Sequence, residues 1–237
     1  MKPEQGEARL DRDVPGHAAS VRTWWHRGRG ASIGELIADG VVHGIGIVTA
    51  AVIGTLIIVF AALEAAPYLP AVGVYVGSLI VVLSISLAYN LVPISPVKRV
   101  LARFDQAAIF LLIAGSYTPF LAAAGGTLDG QMLLVLIWGA SLAGIALKLL
   151  VPHRFGRMAL LLYVGIGWSG ILVFGSLAAT LPPASLWLLV AGGIVYSLGI
   201  VFHLWERLKF QTALWHTFVV AGATLHLVAM LVLTLQR

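Results

Sequence analysis

Cysteine is absent from the 237-residue chain, and only 11% of its residues are charged, whereas 59% are hydrophobic. Without cysteine, the chain can form no disulfide, no cysteine-ligated zinc or iron–sulfur site and no cysteine nucleophile. An average soluble domain carries roughly 25% charged residues, so this chain has too little polar surface to cover a water-soluble globule. The composition therefore predicts a membrane protein.

A surplus of positive charge, formally +5, is sometimes a sign of nucleic-acid binding. Here the basic residues stand in short clusters between apolar runs, and they do not follow one stripe. Membrane topology accounts for this pattern, so we expect no nucleic-acid partner.

Seven apolar runs are each long enough for a bilayer-crossing helix, which needs about 20 residues. Breaker or polar segments separate them, and the connections are short, which predicts antiparallel neighbours. Ser32 and Glu35 form a capping-box pattern at the start of the first run. The predicted spans are about 38–63, 70–91, 105–124, 131–151, 158–180, 185–204 and 213–235.

The N-terminal segment, residues 1–31, is rich in charged residues, glycine and proline. It lacks the hydrophobic core of 7–15 residues that a signal peptide requires. We predict a disordered cytoplasmic tail here, followed by a seven-helix transmembrane domain over residues 32–237.

The distribution of lysine and arginine predicts the orientation of the bundle, because cytoplasmic loops carry these residues in excess. With seven spans, all 15 lysines and arginines except Arg237 fall on the side of the N-terminus. The sequence thus predicts an all-α, multi-pass protein of the cell membrane, with its N-terminus in the cytoplasm and its C-terminus outside.

Polar residues gather at one depth, near the predicted cytoplasmic face. Residues four apart share a helix face, and such pairs occur in the first, second and seventh spans. Ionisable groups at membrane depth usually face the bundle interior and mark a site, although single residues this near the interface can also reach water. The members of this predicted polar layer are Glu35, Asp39, His43, Ser86, Asn90, Asp105, Gln106, Thr212 and His216.

Carboxylates and imidazoles together can bind zinc or iron, or can act in acid–base chemistry. The spacing alone does not choose between these roles, because the chain has no HExxH motif. His226 lies ten residues beyond His216, about 15 Å along the same helix. We therefore expect His226 to make an interhelical hydrogen bond outside the polar layer.

Several motifs, taken in order, resemble the hemolysin III family, the bacterial relatives of the progestin and adiponectin receptors. The resemblance covers about residues 35–233. It rests on Glu35…Asp39…His43-Gly44, Ser86-x-x-x-Asn90, the run from Asp105-Gln106 to Thr118-Pro119-Phe120, Gly167-Trp168, the run from Gly192-Gly193 to Gly199, and Leu214-Trp215-His216 with His226.

The resemblance implies a seven-helix bundle with a zinc ion near the cytoplasmic face. One histidine of the second span and two of the seventh would bind the metal, beside a serine and an aspartate. By position these last two are Ser86 and Asp105, and the final ligand is His216. Asn90 and Thr212 occupy the other two ligand positions, where their neutral oxygens are poor substitutes for imidazole.

Two further departures surround this site: Gln106 stands where the bacterial family usually has histidine, and Asp39 where asparagine is usual. The ordinary zinc site is therefore expected to be degraded. A rearranged metal site would use Asp39, His43, Asp105 and His216.

The expected function is that of a hemolysin III-like membrane protein, lipid-related or cytolytic, which embeds in the bilayer and can take a lipid ligand. The alternative is a zinc-dependent lipid amidase, ceramidase-like, in which metal-bound water attacks a carbonyl and Ser86 or Asp105 orients that water. A transporter is the third alternative, but the sequence lacks the paired broken helices expected of carriers. The lost ligands favour a non-enzymatic role.

Overall fold

The computed structural model describes residues 32–151 and 156–236, without the side chains of residues 156 and 157. The predicted tail, residues 1–31, lies outside them. The described chain is helical apart from its connections. In chain order the helices are α1 (Ile33–Leu63), α2 (Leu69–Leu91), α3 (Pro96–Ala123), α4 (Leu128–Leu150), α5 (Gly156–Gly167), a 3-10 segment (Ser169–Val173), α6 (Phe174–Thr180), α7 (Pro183–Leu204) and α8 (Gln211–Leu235).

Seven of the described segments are long and apolar enough to cross a membrane, which confirms the predicted number. The fifth span combines α5, the 3-10 segment and α6. Along the bundle, α1 packs against α2 and α8, α3 packs against α2 and α4, and α7 packs against α8. The seven spans embed the protein in a lipid bilayer.

The third helix begins at Pro96, nine residues before the predicted start. Pro96 occupies the first turn, where a missing N–H costs nothing, and the Ser95 hydroxyl accepts a hydrogen bond from the Lys98 backbone. The Lys98 ammonium donates to the carbonyl oxygens of Tyr89 and Val92 at the end of α2. This first part of α3 is helical but charged. The predicted span was defined by its apolar residues, so it did not include this part.

The first helix begins with the predicted capping box, in which Ser32 and Glu35 bond reciprocally. Glu35 also accepts a hydrogen bond of 3.0 Å from the backbone N–H of Phe210, the residue before α8. Phe210 has a left-handed conformation, with φ of 59°. Glu35 therefore joins the beginnings of the first and last spans.

The fifth span was predicted as one run, but it is interrupted by the 3-10 segment. Tyr117 of α3 holds this break from both sides: its hydroxyl donates to the Gly167 carbonyl oxygen and accepts from the Gly170 N–H. The Trp168 indole donates to Ser197 of α7 at 3.0 Å. These interhelical bonds replace helical ones, and no apolar pattern encodes them.

The α1 helix is polar on its buried side and apolar on its exposed side. Asp39 and His43 are 2% and 0% exposed, whereas Ile37, Val41 and Ile45 are each more than half exposed. In water this arrangement would be unfavourable, but in a bilayer the apolar face contacts lipid. The polar groups of α1 are thereby directed into the bundle.

Close helix contacts occur at some glycines of the spans and not at others. A methyl group at Gly144 would meet the Phe110 ring, and one at Gly192 would meet the His226 ring. At Gly73, Gly77 and Gly139 the space beside Cα is open.

Candidate functional site

The polar cluster, which we define as Asp39, His43, Ser86, Asp105 and His216, lies at the end of the bundle where α1 begins. Its members come from four helices. Asp39 and His43 are one turn apart on α1, Ser86 lies near the end of α2, Asp105 lies on α3, and His216 lies near the start of α8. Consecutive helices run in opposite directions, so these residues lie at the same depth in the bundle although they are far apart in the sequence.

His216 is hydrogen-bonded through both ring nitrogens. Its Nδ1 is 2.6 Å from Oδ1 of Asp39, and its Nε2 is 3.4 Å from the Ser86 hydroxyl. An ionised carboxylate only accepts hydrogen bonds, so Nδ1 carries the proton in that bond. In neutral imidazole, Nε2 then offers its lone pair to the Ser86 O–H.

His43 packs its ring edge-on against His216, with the ring centroids 4.3 Å apart. Its Nδ1 donates to the Asp39 backbone carbonyl oxygen at 2.8 Å. The same bond fixes the tautomer, so Nε2 of neutral His43 has a lone pair. This Nε2 atom and Oδ2 of Asp39 are buried and have no hydrogen-bond partner among the described residues.

A cavity of about 270 Å³ opens from the polar cluster into the bundle. His43, Ser86, Asp105 and His216 line it, while Asp39 lies behind them and does not. Asp105 is partly buried, and its carboxylate lies near the Ser86 side chain. The Ser86 hydroxyl therefore has two acceptors beside it, Asp105 and His216.

The rest of the cavity wall is mostly apolar and aromatic. It comes from α2, α3, the fifth span, α7 and α8. Representative lining residues are Ile113, Phe120, Ile171, Leu189, Val190 and Val219. An apolar chamber with a few polar groups at one end is the usual form of a site for a small amphipathic ligand.

Four residues of the predicted polar layer have other surroundings. Glu35 caps α1 and binds the Phe210 backbone. The side-chain amide oxygen of Gln106 accepts a hydrogen bond of 2.9 Å from the Lys148 ammonium. Asn90 donates to the Ser86 backbone carbonyl oxygen at 2.9 Å, and Thr212 is exposed. In the described part of the chain, the cavity wall includes none of these four residues.

Two polar side chains that bond to Gln106 were not predicted as part of a site, one of them buried and the other partly buried. Lys148, on α4, is 3% exposed and donates to Gln106, and Tyr163 donates to the Gln106 backbone carbonyl oxygen at 2.7 Å. The count of basic residues places Lys148 with the fourth loop on the cytoplasmic side, whereas the structure places it within α4. His226 matches its prediction, because Nε2 donates to the Leu189 carbonyl oxygen at 3.1 Å.

Comparison with known proteins identifies the family. The model of the haemolysin-III related family matches residues 35–227. This chain belongs to the haemolysin-III related family. It is 36% identical to the hemolysin-3 homolog of Bacillus subtilis (strain 168) over 195 residues, which cover 81% of this chain and 91% of that protein.

Other members of the haemolysin-III related family and its wider relatives are also similar. Hemolysin-3 of Bacillus cereus is 35% identical over 192 residues, covering 81% of this chain and 88% of that protein. The human monocyte to macrophage differentiation factor is 32% identical over 124 residues, which cover 52% of this chain and 50% of that protein. No solved structure matches the chain. The resemblance drawn from the sequence motifs is confirmed.

The zinc site implied by this family does not fit the residues at its expected ligand positions. The Asn90 amide is used on the Ser86 backbone, and Thr212 is exposed. Only His216 retains a ligand of the expected type. A different set does come together, because one ligand atom each from Asp39, His43 and His216 lies within 4.8 Å of the others.

Proposed function

We propose that this protein binds a membrane lipid, with the lipid's apolar chain in the cavity and its polar group at the polar cluster. The observation that carries the proposal is the cavity itself: about 270 Å³, apolar along most of its wall, with His43, Ser86, Asp105 and His216 at one end. This volume is close to the lower limit of ordinary ligand sites, roughly 300–1,000 Å³. The protein is surrounded by bilayer lipid, so a lipid ligand is present at high local concentration.

The proposal extends to membrane effects, since two relatives carry the name hemolysin-3. A protein that sequesters or presents lipid changes the composition of its bilayer, and lysis of a target membrane would be an extreme outcome. We further propose the cell membrane as its location, with the N-terminus in the cytoplasm. The asymmetric lysines and arginines support that orientation.

The test is lipid retention by a variant with a filled cavity. Val190→Trp places an indole in the cavity, whereas Val201→Trp adds the same indole on the same helix at a position that is 57% exposed. Both proteins would be purified into nanodiscs, and co-purified lipid would be extracted and identified by mass spectrometry. We expect Val190→Trp to lose the specific lipid and Val201→Trp to keep it. Equal retention by both variants contradicts the proposal.

A second candidate function is metal-dependent hydrolysis of a lipid amide. It is favoured by one observation, the approach of Asp39, His43 and His216 to within 4.8 Å with two of their buried atoms unpartnered. A site of two histidines and a carboxylate resembles known catalytic zinc sites. Elemental analysis of the purified protein tests it, since less than one metal ion per chain would exclude this function.

A further inference from the structure

Ser86, His216 and Asp39 form a chain of hydrogen bonds. The Ser86 hydroxyl meets Nε2 of His216 at 3.4 Å, and Nδ1 of the same ring meets Oδ1 of Asp39 at 2.6 Å. The three residues come from α2, α8 and α1, so only the folded bundle assembles them. The order of atoms is that of a serine nucleophile, its general base and the carboxylate that orients the base.

We propose that Ser86, His216 and Asp39 are a metal-independent acyl-transfer triad whose substrate is the acyl carbonyl group of a lipid in the adjoining cavity. The proposal rests on the lipid-binding function proposed above. It assigns a chemistry to the cluster that uses none of the expected zinc ligands except His216.

The direction of each hydrogen bond supports these roles. The Asp39 carboxylate can only accept, so it holds the His216 proton on Nδ1 and leaves Nε2 as the basic atom facing Ser86. A neutral amide at position 39 could donate instead and would then favour the other tautomer, in which Nε2 carries the proton. Asparagine is usual at this position in the family that the sequence resembles. The carboxylate found here instead determines which ring nitrogen of His216 carries the proton.

The positions of the three residues relative to the cavity agree with their proposed roles. Ser86 and His216 line the cavity, whereas Asp39, which is 2% exposed, lies behind the imidazole. A nucleophile and its base must meet the substrate, and an orienting carboxylate need not. Asp39 is accordingly a positioning residue, and Ser86 and His216 are the catalytic residues.

His43 supports the same arrangement from the side. Its ring is fixed by the bond from Nδ1 to the Asp39 carbonyl oxygen and packs edge-on against His216. A general base works only when its rotamer is held by its surroundings. The packing of His43 therefore limits rotation of the His216 ring.

The reaction balances with water as the only co-reactant. Ser86 Oγ forms a bond to the acyl carbon while its proton passes to Nε2 of His216. The bond from that carbon to the leaving oxygen or nitrogen breaks, and His216 returns the proton to the leaving group. Water then attacks the Ser86 ester and gives a proton to His216. The carbon–Oγ bond breaks, the fatty acid leaves, and Ser86 regains its proton.

The experiment uses an alkyl fluorophosphonate, a probe that phosphonylates activated serines. The full-length wild-type chain in nanodiscs would be treated with the probe, and the modified peptide would be located by mass spectrometry. We expect labelling at Ser86, no labelling there in Ser86→Ala, and unchanged labelling in Ser78→Ala. Ser78 is a buried serine on the same helix that does not line the cavity, so it is the matched control.

Asp39→Asn separates a positioning role from a structural one. Removing the carboxylate of such a triad costs about 10⁴-fold in turnover in serine proteases, so we expect the maximal labelling rate to fall by about 100-fold or more. The probe concentration for half-maximal rate and the amount of co-purified lipid should stay near wild-type values. An unchanged maximal rate in folded Asp39→Asn overturns the role of Asp39.

The wild-type result alone can overturn the proposal, without any variant. Failure to label Ser86 in protein that still retains its lipid contradicts the triad and leaves the lipid-binding function standing. Labelling that disappears with 1,10-phenanthroline, in protein holding one metal ion per chain, contradicts it in favour of a metal site. Labelling that survives the chelator supports the triad. Loss of lipid specificity in wild-type protein would instead count against the proposed function.

Discussion

Asp39 and His216 stand 177 residues apart in the sequence, yet the Asp39 carboxylate lies 2.6 Å from Nδ1 of the His216 ring. The contact joins the first span to the last and is buried at both ends. Because α1 and α8 also pack against each other, this bond constrains their relative rotation. The same bond orients His216 toward Ser86, so structure and chemistry depend on the same pair.

The pair should show strong energetic coupling. Hydrogen bonds to charged groups contribute about 1.5–3 kcal/mol, so Asp39→Ala and His216→Ala should each lower stability by at least that amount. The double variant should lose less than the sum of the two single losses. Thermal unfolding in detergent measures all four proteins. Strictly additive losses would mean that the two side chains do not interact.

Glu35 should stabilise the bundle by joining two helix starts. Glu35→Ala removes the capping box of α1 and the acceptor for the Phe210 N–H, and a lost cap costs about 0.5–2 kcal/mol. We expect a lower unfolding temperature than in Glu206→Ala, which changes an exposed glutamate between α7 and α8. Equal temperatures for the two variants would show that the Glu35 contacts contribute little.

The break in the fifth span should depend on Tyr117. Tyr117→Phe removes the hydroxyl that bonds both Gly167 and Gly170, so the 3-10 segment loses its attachment to α3. Hydrogen exchange of residues 167–173 should become faster, while exchange in α1 should not change. Unaltered exchange over this segment would assign the break to the sequence of the fifth span itself.

Restoring the two missing imidazoles tests the position of the family's zinc site. Asn90→His combined with Thr212→His returns histidine to both altered ligand positions, which would stand near His216. Elemental analysis should then find about one zinc per chain, and more than in Asn90→His alone. If the double variant takes up no zinc, the positions assigned from the resemblance are incorrect.

The orientation of the bundle can be measured directly because the chain has no native cysteine. Ile94→Cys places a single thiol in the connection between α2 and α3, and Leu128→Cys places one at the start of α4, at residues that are 74% and 75% exposed. In intact cells an impermeant maleimide should label Leu128→Cys, and it should label Ile94→Cys only after permeabilisation. The reverse pattern would place the N-terminus outside.

The amino-acid sequence determined the class of this protein and the number of its spans. Long apolar runs must be helical in a bilayer, because every backbone N–H and C=O group needs a partner there. The Ser32 capping box was readable for a similar reason, since it is completed within four residues. Local chemistry suffices for features of this kind.

Only the tertiary structure decided which polar residues meet. Sequence spacing placed Glu35, Gln106, Asn90 and Thr212 at the same depth as the polar cluster, but depth does not fix the direction in which a helix turns its face. In the packed bundle, Gln106 faces Lys148. Asp39, Ser86 and His216 lie within hydrogen-bond distance along one chain of contacts. The distances among these three depend on contacts between α1, α2 and α8, which local sequence does not encode.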